Sequence, residues 1–84
     1  MATLRIIVGR NLKYIRYQTN LSQEDFYEHY NLNPKYYSMI ERGEINIRVD
    51  TIDKLAKTLK IPLQELLIDE PTREINKLRI DARN

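Results

Sequence analysis

Cysteine is absent from this 84-residue sequence, and no apolar run is longer than the three residues of "IIV" at 6–8. Without cysteine the chain has no disulfide framework, thiolate metal site or thiol nucleophile. A membrane span needs roughly 20 consecutive apolar residues, and the beginning of the sequence lacks a signal-peptide pattern. These absences predict a cytoplasmic protein that does not enter a membrane.

Histidine occurs once, as His29, and no paired carboxylates mark a cleft. A chain of 84 residues forms one domain with a single core, which is too small for the two-lobed cleft that most enzymes use. His29 is therefore expected to be a solvated surface residue rather than a general base. The sequence predicts a protein without catalytic activity, cofactor, metal or small-molecule ligand.

Charges of the two signs nearly balance, with a formal net charge of +2, so the total is weak evidence for a polyanionic partner. The distribution is more informative, because residues 1–20 contain no acid whereas residues 65–74 contain four acids and one base. This asymmetry predicts that one face meets phosphate groups; the alternative is that these are ordinary solvated helix faces. The N-terminal bases are Arg5, Arg10, Lys13 and Arg16.

Apolar residues recur at helical spacing along most of the chain, and strand signals are nearly absent. The first helix is expected over about residues 4–18, and a second, short helix follows Ser22, whose hydroxyl can cap a backbone N–H. Asn31 tolerates positive φ and ends the second helix. A fourth helix is expected over about residues 50–60, and a fifth begins at Pro62.

The third helix is the most clearly marked, by "NPKYYSMIERG" at 33–43. Asn33 caps it, Pro34 occupies the first helical position, where a missing N–H costs nothing, and Gly43 closes it. Tyr37 and Ile40 share the face that must pack inward. The other side chains on or near the outer surface are Lys35, Tyr36, Ser38, Met39 and Arg42.

The polar segment at 69–84 follows a domain expected to span residues 1–68. Its apolar residues Ile75, Leu78 and Ala82 share one side of a helix, which fits a short sixth helix. The segment's polarity fits an undocked tail equally well.

The second and third helices and the turn "NLN" between them have the lengths of a helix-turn-helix. The ordered motifs "VGRNLKYIR", "LSQEDF", "YYSMIERG" and "DTIDKLAKTLKIPLQELL" extend the likeness over residues 8–67. The chain thereby resembles the lambda repressor-like, or Xre-type, helix-turn-helix DNA-binding family. That resemblance implies an all-α fold of five helices that binds double-stranded DNA.

In this family the third helix lies in the major groove, so the resemblance implies that its outer residues contact bases. Lys35 can donate to guanine, and Met39 can contact a thymine methyl. Since Pro34 donates nothing, part of the selectivity is expected to come from DNA shape, with Tyr36 against sugar and phosphate. The implied base contacts are Asn33, Pro34, Lys35, Tyr36, Ser38 and Met39.

Phosphate contacts are expected from two places, the head of the second helix and the loop after the third. The resemblance also implies a structural pair between Arg16 and Glu41, which bridges the first and third helices. If that pair is partly buried, removing one partner costs on the order of 3 kcal/mol. The expected phosphate contacts are Ser22, Gln23, Arg42, Asn46 and Arg48.

Two positions depart from the family pattern. Asn31 stands where the turn usually has glycine, an easy exchange, and Tyr27 stands where the second helix usually has alanine. A phenol needs room, so Tyr27 is expected either to lean out to solvent or to open the angle between the two helices.

A single small domain reads only a short half-site, so a homodimer spanning about 34 Å between successive major grooves is expected. The apolar stretch "IPLQELLI" at 61–68 offers more hydrophobic surface than one short helix buries in a small domain. The alternative is that all these residues belong to the core. The expected dimer contacts are Leu63, Leu67 and Ile68.

The recognition-helix residues "YYSMIERG" are similar to those of the small controller proteins of restriction-modification operons. The resemblance implies an autoregulator that activates at low occupancy and represses at high occupancy. A phage-type repressor and an autoregulating antitoxin are the alternatives within the same class. A helical protein-interaction module without DNA binding is the alternative from a different class.

Overall fold

The structure is a computed structural model that describes residues 3–69, and these residues contain four α-helices and a single 3-10 helix. The first three helices are α1 (Leu4–Thr19), α2 (Gln23–His29) and α3 (Pro34–Glu41). They are followed by α4 (Val49–Leu59) and the 3-10 helix (Leu63–Leu66). The all-helical class is thus confirmed for the part of the chain that the structure describes.

Local hydrogen bonds explain where α2 and α3 begin. The Ser22 hydroxyl accepts from the backbone N–H of Asp25 at 3.1 Å, and the Asn33 side chain accepts from the N–H of Tyr36 at 2.8 Å. Pro34 follows this cap as the first residue of α3, so its missing N–H removes no helical hydrogen bond. These two caps confirm the predicted helix starts.

Left-handed residues end α2, α3 and α4 in the same way. Asn31, Gly43 and Lys60 have φ values of 54°, 70° and 59°. After α3, the N–H of Glu44 donates to the carbonyl of Met39 and the N–H of Gly43 to that of Ile40, each at 3.0 Å. This pair of bonds is a Schellman motif, which satisfies the last carbonyls of a helix and turns the chain sharply.

The core lies where α1 crosses α3 and is closed by α4 and the 3-10 helix. Tyr37 and Ile40 are buried, which confirms the predicted inward face of α3. Gly9 of α1 lies against the backbone of α3, where an added Cβ would collide with the carbonyl oxygen of Ile40. The remaining buried apolar residues are Val8, Leu12, Phe26, Tyr27, Ile52, Leu55, Ala56, Leu59 and Leu66.

The fifth predicted helix is not confirmed as an α-helix, because a 3-10 helix stands in its place. The residues after Pro62 form a single 3-10 turn, Leu63–Leu66. This turn already places Leu66 in the core, where it is fully buried. The chain then leaves along α1, where the buried Asn11 amide donates to the carbonyl of Ile68 at 3.0 Å. The tail beyond Asp69, with the sixth helix predicted there, lies outside the described residues.

Between residues 3 and 69, the helices are too short or too polar to cross a membrane.

Candidate nucleic-acid interface

The head of α3 carries the predicted base-contact residues on an open surface. Lys35 is exposed as the second residue of α3, directly after the Asn33 cap and Pro34. The Asn33 oxygen uses one lone pair for the cap, so its amide hydrogens and its second lone pair are the groups it can offer to a partner. The local sequence therefore presents one ammonium and one amide at the point where α3 begins.

The other predicted base contacts are more restricted by their own contacts. The Ser38 hydroxyl donates to the carbonyl of Lys35 at 2.9 Å, which leaves its lone pairs to accept from a partner. Tyr36 is half-buried and meets the Tyr37 ring edge-on, with ring centroids 5.1 Å apart. Met39 is also half-buried. Among the predicted base contacts, the side chains that are both exposed and able to donate are therefore Lys35 and Asn33.

A shallow hollow between α2 and α3 extends from the head of α2 to the head of α3. It includes a carboxylate, Glu24, which the sequence interpretation did not single out. A carboxylate in a major groove can accept a hydrogen bond from the cytosine amino group, whereas it repels phosphate. The residues lining the hollow are Gln23, Glu24, Tyr27, Pro34, Lys35 and Ser38.

Three basic or amide side chains surround the loop between α3 and α4. Asn46 accepts a hydrogen bond from the Arg5 guanidinium at 3.1 Å, so the loop and the start of α1 are tied together. Arg48 is exposed just before α4, and no hydrogen bond or ion pair of its side chain occurs within residues 3–69. Arg5 was missed as a neighbour of this loop because 41 residues separate it from Asn46.

Arg42, a predicted phosphate contact, already has an acidic partner. Its guanidinium donates two hydrogen bonds to the Glu44 carboxylate, at 2.8 and 3.1 Å. The hydrogen bond from Arg42 lowers the pKa of the exposed Glu44 carboxyl, so this pair stays charged at neutral pH. A phosphate would have to share or displace Glu44 to bind Arg42, which makes Arg48 the freer of the two bases.

Beneath this surface, the Glu41 carboxylate is buried and accepts hydrogen bonds from two other helices. Arg16 of α1 donates to both of its oxygens, at 2.9 and 3.0 Å. Gln23 of α2 donates to it at 3.1 Å, and the Tyr27 hydroxyl of α2 donates to it as well. The structure thus places Arg16 and Glu41 together and adds two partners that the sequence interpretation did not assign to Glu41.

The position of Tyr27 corrects one sequence expectation. Its side chain is only 1% exposed, so the prediction that it leans out to solvent is wrong. The phenol is tolerated inside because its hydroxyl reaches the Glu41 carboxylate and its ring packs near Phe26 and Tyr37. Burial, followed by the hydrogen bond to Glu41, raises the pKa of Tyr27, so the phenol is neutral and acts as the donor.

The N-terminal bases do not form the single free face that the charge distribution suggested. Arg16 is enclosed with Glu41, and Arg10 forms an ion pair with Asp69 at 3.6 Å. Burial lowers the pKa of Arg16, but the hydrogen bond to Glu41 and the charge of Glu41 raise it by more. The net pKa is therefore raised, and the guanidinium remains protonated. Two of the four bases are thus paired with acids: the Arg16–Glu41 pair was expected from the family resemblance, whereas sequence separation concealed the partner of Arg10.

The predicted dimer contacts differ in exposure. Leu63 packs partly buried against the core, and Ile68 is half-buried, whereas Leu67 is 41% exposed. Further exposed apolar side chains in the described part of the chain are Leu4, Ile6 and Val49.

The helix-turn-helix family matches residues 12–66, and the chain belongs to that family of DNA-binding proteins. Among its relatives, the control protein C.MunI of Mycoplasma sp is 39% identical over 70 residues, covering 82% of this chain and 95% of that protein. The control protein C.BamHI of Bacillus amyloliquefaciens is 35% identical over 65 residues, covering 76% and 80% of the two chains.

A hypothetical transcription factor of Neisseria meningitidis serogroup B is 32% identical over 79 residues, covering 94% of this chain and 73% of that protein. No solved structure matches the chain. The resemblance to controller proteins is thereby confirmed, and the chain is a helix-turn-helix DNA-binding regulator similar to them.

Proposed function

We propose that the protein binds double-stranded DNA sequence-specifically, as a homodimer on a palindromic or pseudopalindromic operator. The observation that carries this proposal is the exposed head of α3, where Lys35 stands beside Asn33 on a helix whose other face is fixed in the core. A capped helix presenting donors of this kind suits the major groove, where guanine and adenine offer acceptors.

Contacts to the DNA backbone would lie on both sides of the head of α3. At the head of α2, the Ser22 hydroxyl uses a lone pair for the cap, which leaves its proton for a phosphate oxygen. At the loop after α3, Arg48 and the amide hydrogens of Asn46 can meet the phosphates of the groove edge. Such contacts fix the register of α3 and carry no sequence information themselves.

The biological role that we propose is that of a controller, which regulates the operon of a restriction-modification system that includes its own gene. The similarity to two control proteins supports this role, as do the residues "YYSMIERG" of α3. A controller of this kind responds to its own concentration, because dimerisation and operator occupancy rise together. It would therefore activate transcription at low occupancy and repress it at high occupancy.

Selection of bound sequences from a random duplex pool tests the DNA-binding part of the proposal. We expect an enriched inverted repeat whose half-sites lie about one helical turn apart, at about 34 Å. A single enriched half-site would contradict the homodimer. The absence of any enriched sequence would contradict sequence-specific binding.

A salt titration on mixed duplex DNA separates the proposal from a protein-interaction module. Phosphate contacts release counterions, so the logarithm of the binding constant should fall linearly with the logarithm of salt concentration. An interaction module would show no binding to analyse. Reporter expression measured against increasing protein then tests the controller role, for which expression should first rise and then fall; repression at every protein concentration would contradict it.

A further inference from the structure

The two helices of the helix-turn-helix are tied together through one buried carboxylate. Glu41, the last residue of α3, is 4% exposed and accepts hydrogen bonds from both Gln23 and Tyr27 of α2. Arg16 of α1 occupies both oxygens from the other side and balances the charge. Charge-assisted hydrogen bonds are stronger than neutral ones, and in a buried site they constrain geometry closely.

Gln23 and Tyr27 are four residues apart, so they lie one above the other on the same face of α2. One hydrogen bond would leave α2 able to rock about the contact. Two hydrogen bonds from successive turns to one carboxylate remove that freedom and fix both the rotation and the height of α2 against α3.

We propose that Tyr27 is a positioning residue that sets the register between the head of α2 and the recognition surface of α3. This inference rests on the proposed function, in which α2 contacts the DNA backbone and α3 contacts the bases. Phosphate and base contacts can form together only if the two helix heads are held at the matching separation. The Tyr27 hydroxyl contributes to that separation from inside the protein, without touching DNA.

A purely structural reading of Tyr27 assigns its role to the ring, which lies 5.9 Å from the ring of Phe26 and 6.3 Å from that of Tyr37, measured between centroids. The two readings differ in what Tyr27→Phe does, because phenylalanine keeps the ring and removes only the hydroxyl. The structural reading predicts a loss of stability alone. A positioning role predicts a loss of selectivity in the protein that remains folded.

The test compares the affinity of Tyr27→Phe for two duplexes, the sequence that the unsubstituted protein selects from a random pool and a scrambled duplex of equal composition. We expect affinity for the selected duplex to fall about tenfold while affinity for the scrambled duplex is unchanged, because backbone contacts alone tolerate a changed register. Circular dichroism at the binding temperature establishes that the variant is folded.

Tyr37→Phe is the matched control. Tyr37 is also a buried tyrosine, but no hydrogen bond of its hydroxyl occurs among residues 3–69. Its substitution should leave the ratio of the two affinities as it is in the unsubstituted protein. If Tyr27→Phe unfolds, Gln23→Met decides the question in its place, since it removes the other α2 donor to Glu41 and should lower the same ratio. Loss of Gln23 as a phosphate contact alone would weaken binding to both duplexes alike and leave that ratio unchanged.

An unchanged ratio in the folded variant, or an equal loss on both duplexes, would overturn the positioning role. The failure of the proposed function would look different. In that case the unsubstituted protein itself would select no sequence, whatever the behaviour of Tyr27→Phe.

Discussion

Lys35 and Arg48 differ from the other predicted contact residues because their charged groups are exposed and form no hydrogen bond or ion pair with another residue between positions 3 and 69. Arg42 is bound to Glu44, Asn46 accepts from Arg5, and Ser38 donates to its own helix. A charged group that is free before binding loses no internal hydrogen bond when DNA arrives. Substitution of Lys35 or Arg48 should therefore change DNA binding without breaking a hydrogen bond inside the protein.

Lys35→Ala should weaken binding to the selected operator by about 1–3 kcal/mol and relax selectivity at one base pair, because it removes a donor to a base edge. Thermal stability should be nearly unchanged, since Lys35 is exposed and lies outside the core. Affinities for a panel of single-base operator variants provide the measurement. Equal loss on every variant would make Lys35 a phosphate contact instead.

Pro34→Ala serves as the control for this position. It removes no hydrogen-bond donor and keeps the Asn33 cap, so base preference should be retained. Its effect should be a small change in the free energy of unfolding, because alanine gives the unfolded chain more conformational freedom.

Arg48→Ala should weaken binding to all duplexes alike and lower the slope of the salt dependence by about one unit, as expected for one lost phosphate contact. Lys57→Ala removes the same charge from an exposed residue of α4 that pairs with Asp53 and is not a predicted contact. It provides the control for net charge. If the two variants have the same slope, Arg48 does not contact a phosphate.

At the scale of whole elements, α1 and α3 pack closely at Gly9. A Cβ there would collide with the carbonyl oxygen of Ile40 and would lie 3.0 Å from that of Glu41. Both atoms belong to the backbone, so they cannot rotate away as a side chain could. Glycine at this position therefore sets how closely α1 approaches the end of α3, next to the Arg16–Glu41 pair.

Gly9→Ala should destabilise the fold, although alanine is the better helix former by about 1 kcal/mol. Overpacking costs about 1–3 kcal/mol and sometimes more, and a clash with fixed backbone should lie at the upper end. Thermal unfolding should show a lower midpoint. Lys13→Ala, a half-buried position in the same helix, should not lower it, and an equal midpoint for both variants would contradict the tight packing at Gly9.

The bounds of α2 and α3 were predictable because their signals are local. Ser22, Asn33, Pro34 and Gly43 act on backbone groups within a few residues, so the sequence contains both halves of each interaction. One of the two alternatives expected for Tyr27, a side chain that leans out to solvent, is wrong for the opposite reason. Its partner Glu41 is 14 residues away, and the contact exists only once α2 packs against α3.

Tertiary contacts also determine the type of the last helix and the partners of the N-terminal bases. Apolar spacing after Pro62 is compatible with a helix, but burial of Leu66 on the core is achieved within one 3-10 turn. Similarly, the charge pattern alone gives no partner for Arg10 or Arg16, which the fold places beside Asp69 and Glu41. Sequence separation hides such pairs, whereas family resemblance indicated one of them.

For the molecule as a whole, the proposed homodimer would supply the affinity for an operator that one small domain lacks. Leu66 is fully buried in the core and Leu63 is partly buried, so only part of the apolar stretch at 61–68 is available for a dimer contact. Leu67 remains 41% exposed, next to a segment held on α1 by Asn11. An exposed leucine on a fixed backbone is a suitable contact for a second copy of the chain.

Leu67→Glu should give a folded monomer with poor operator affinity. The leucine is already partly in water, so glutamate should cost the monomer little, whereas a carboxylate buried in a dimer interface is expensive. Sedimentation measures the mass of the free protein, and the selected duplex measures its affinity. Val49→Glu makes the same change at a residue that is 72% exposed and is not a predicted dimer contact, so its mass should remain that of a dimer. If Leu67→Glu also remains a dimer, the two copies meet through a different surface, and loss of operator affinity in that variant would have to come from a direct effect on DNA binding.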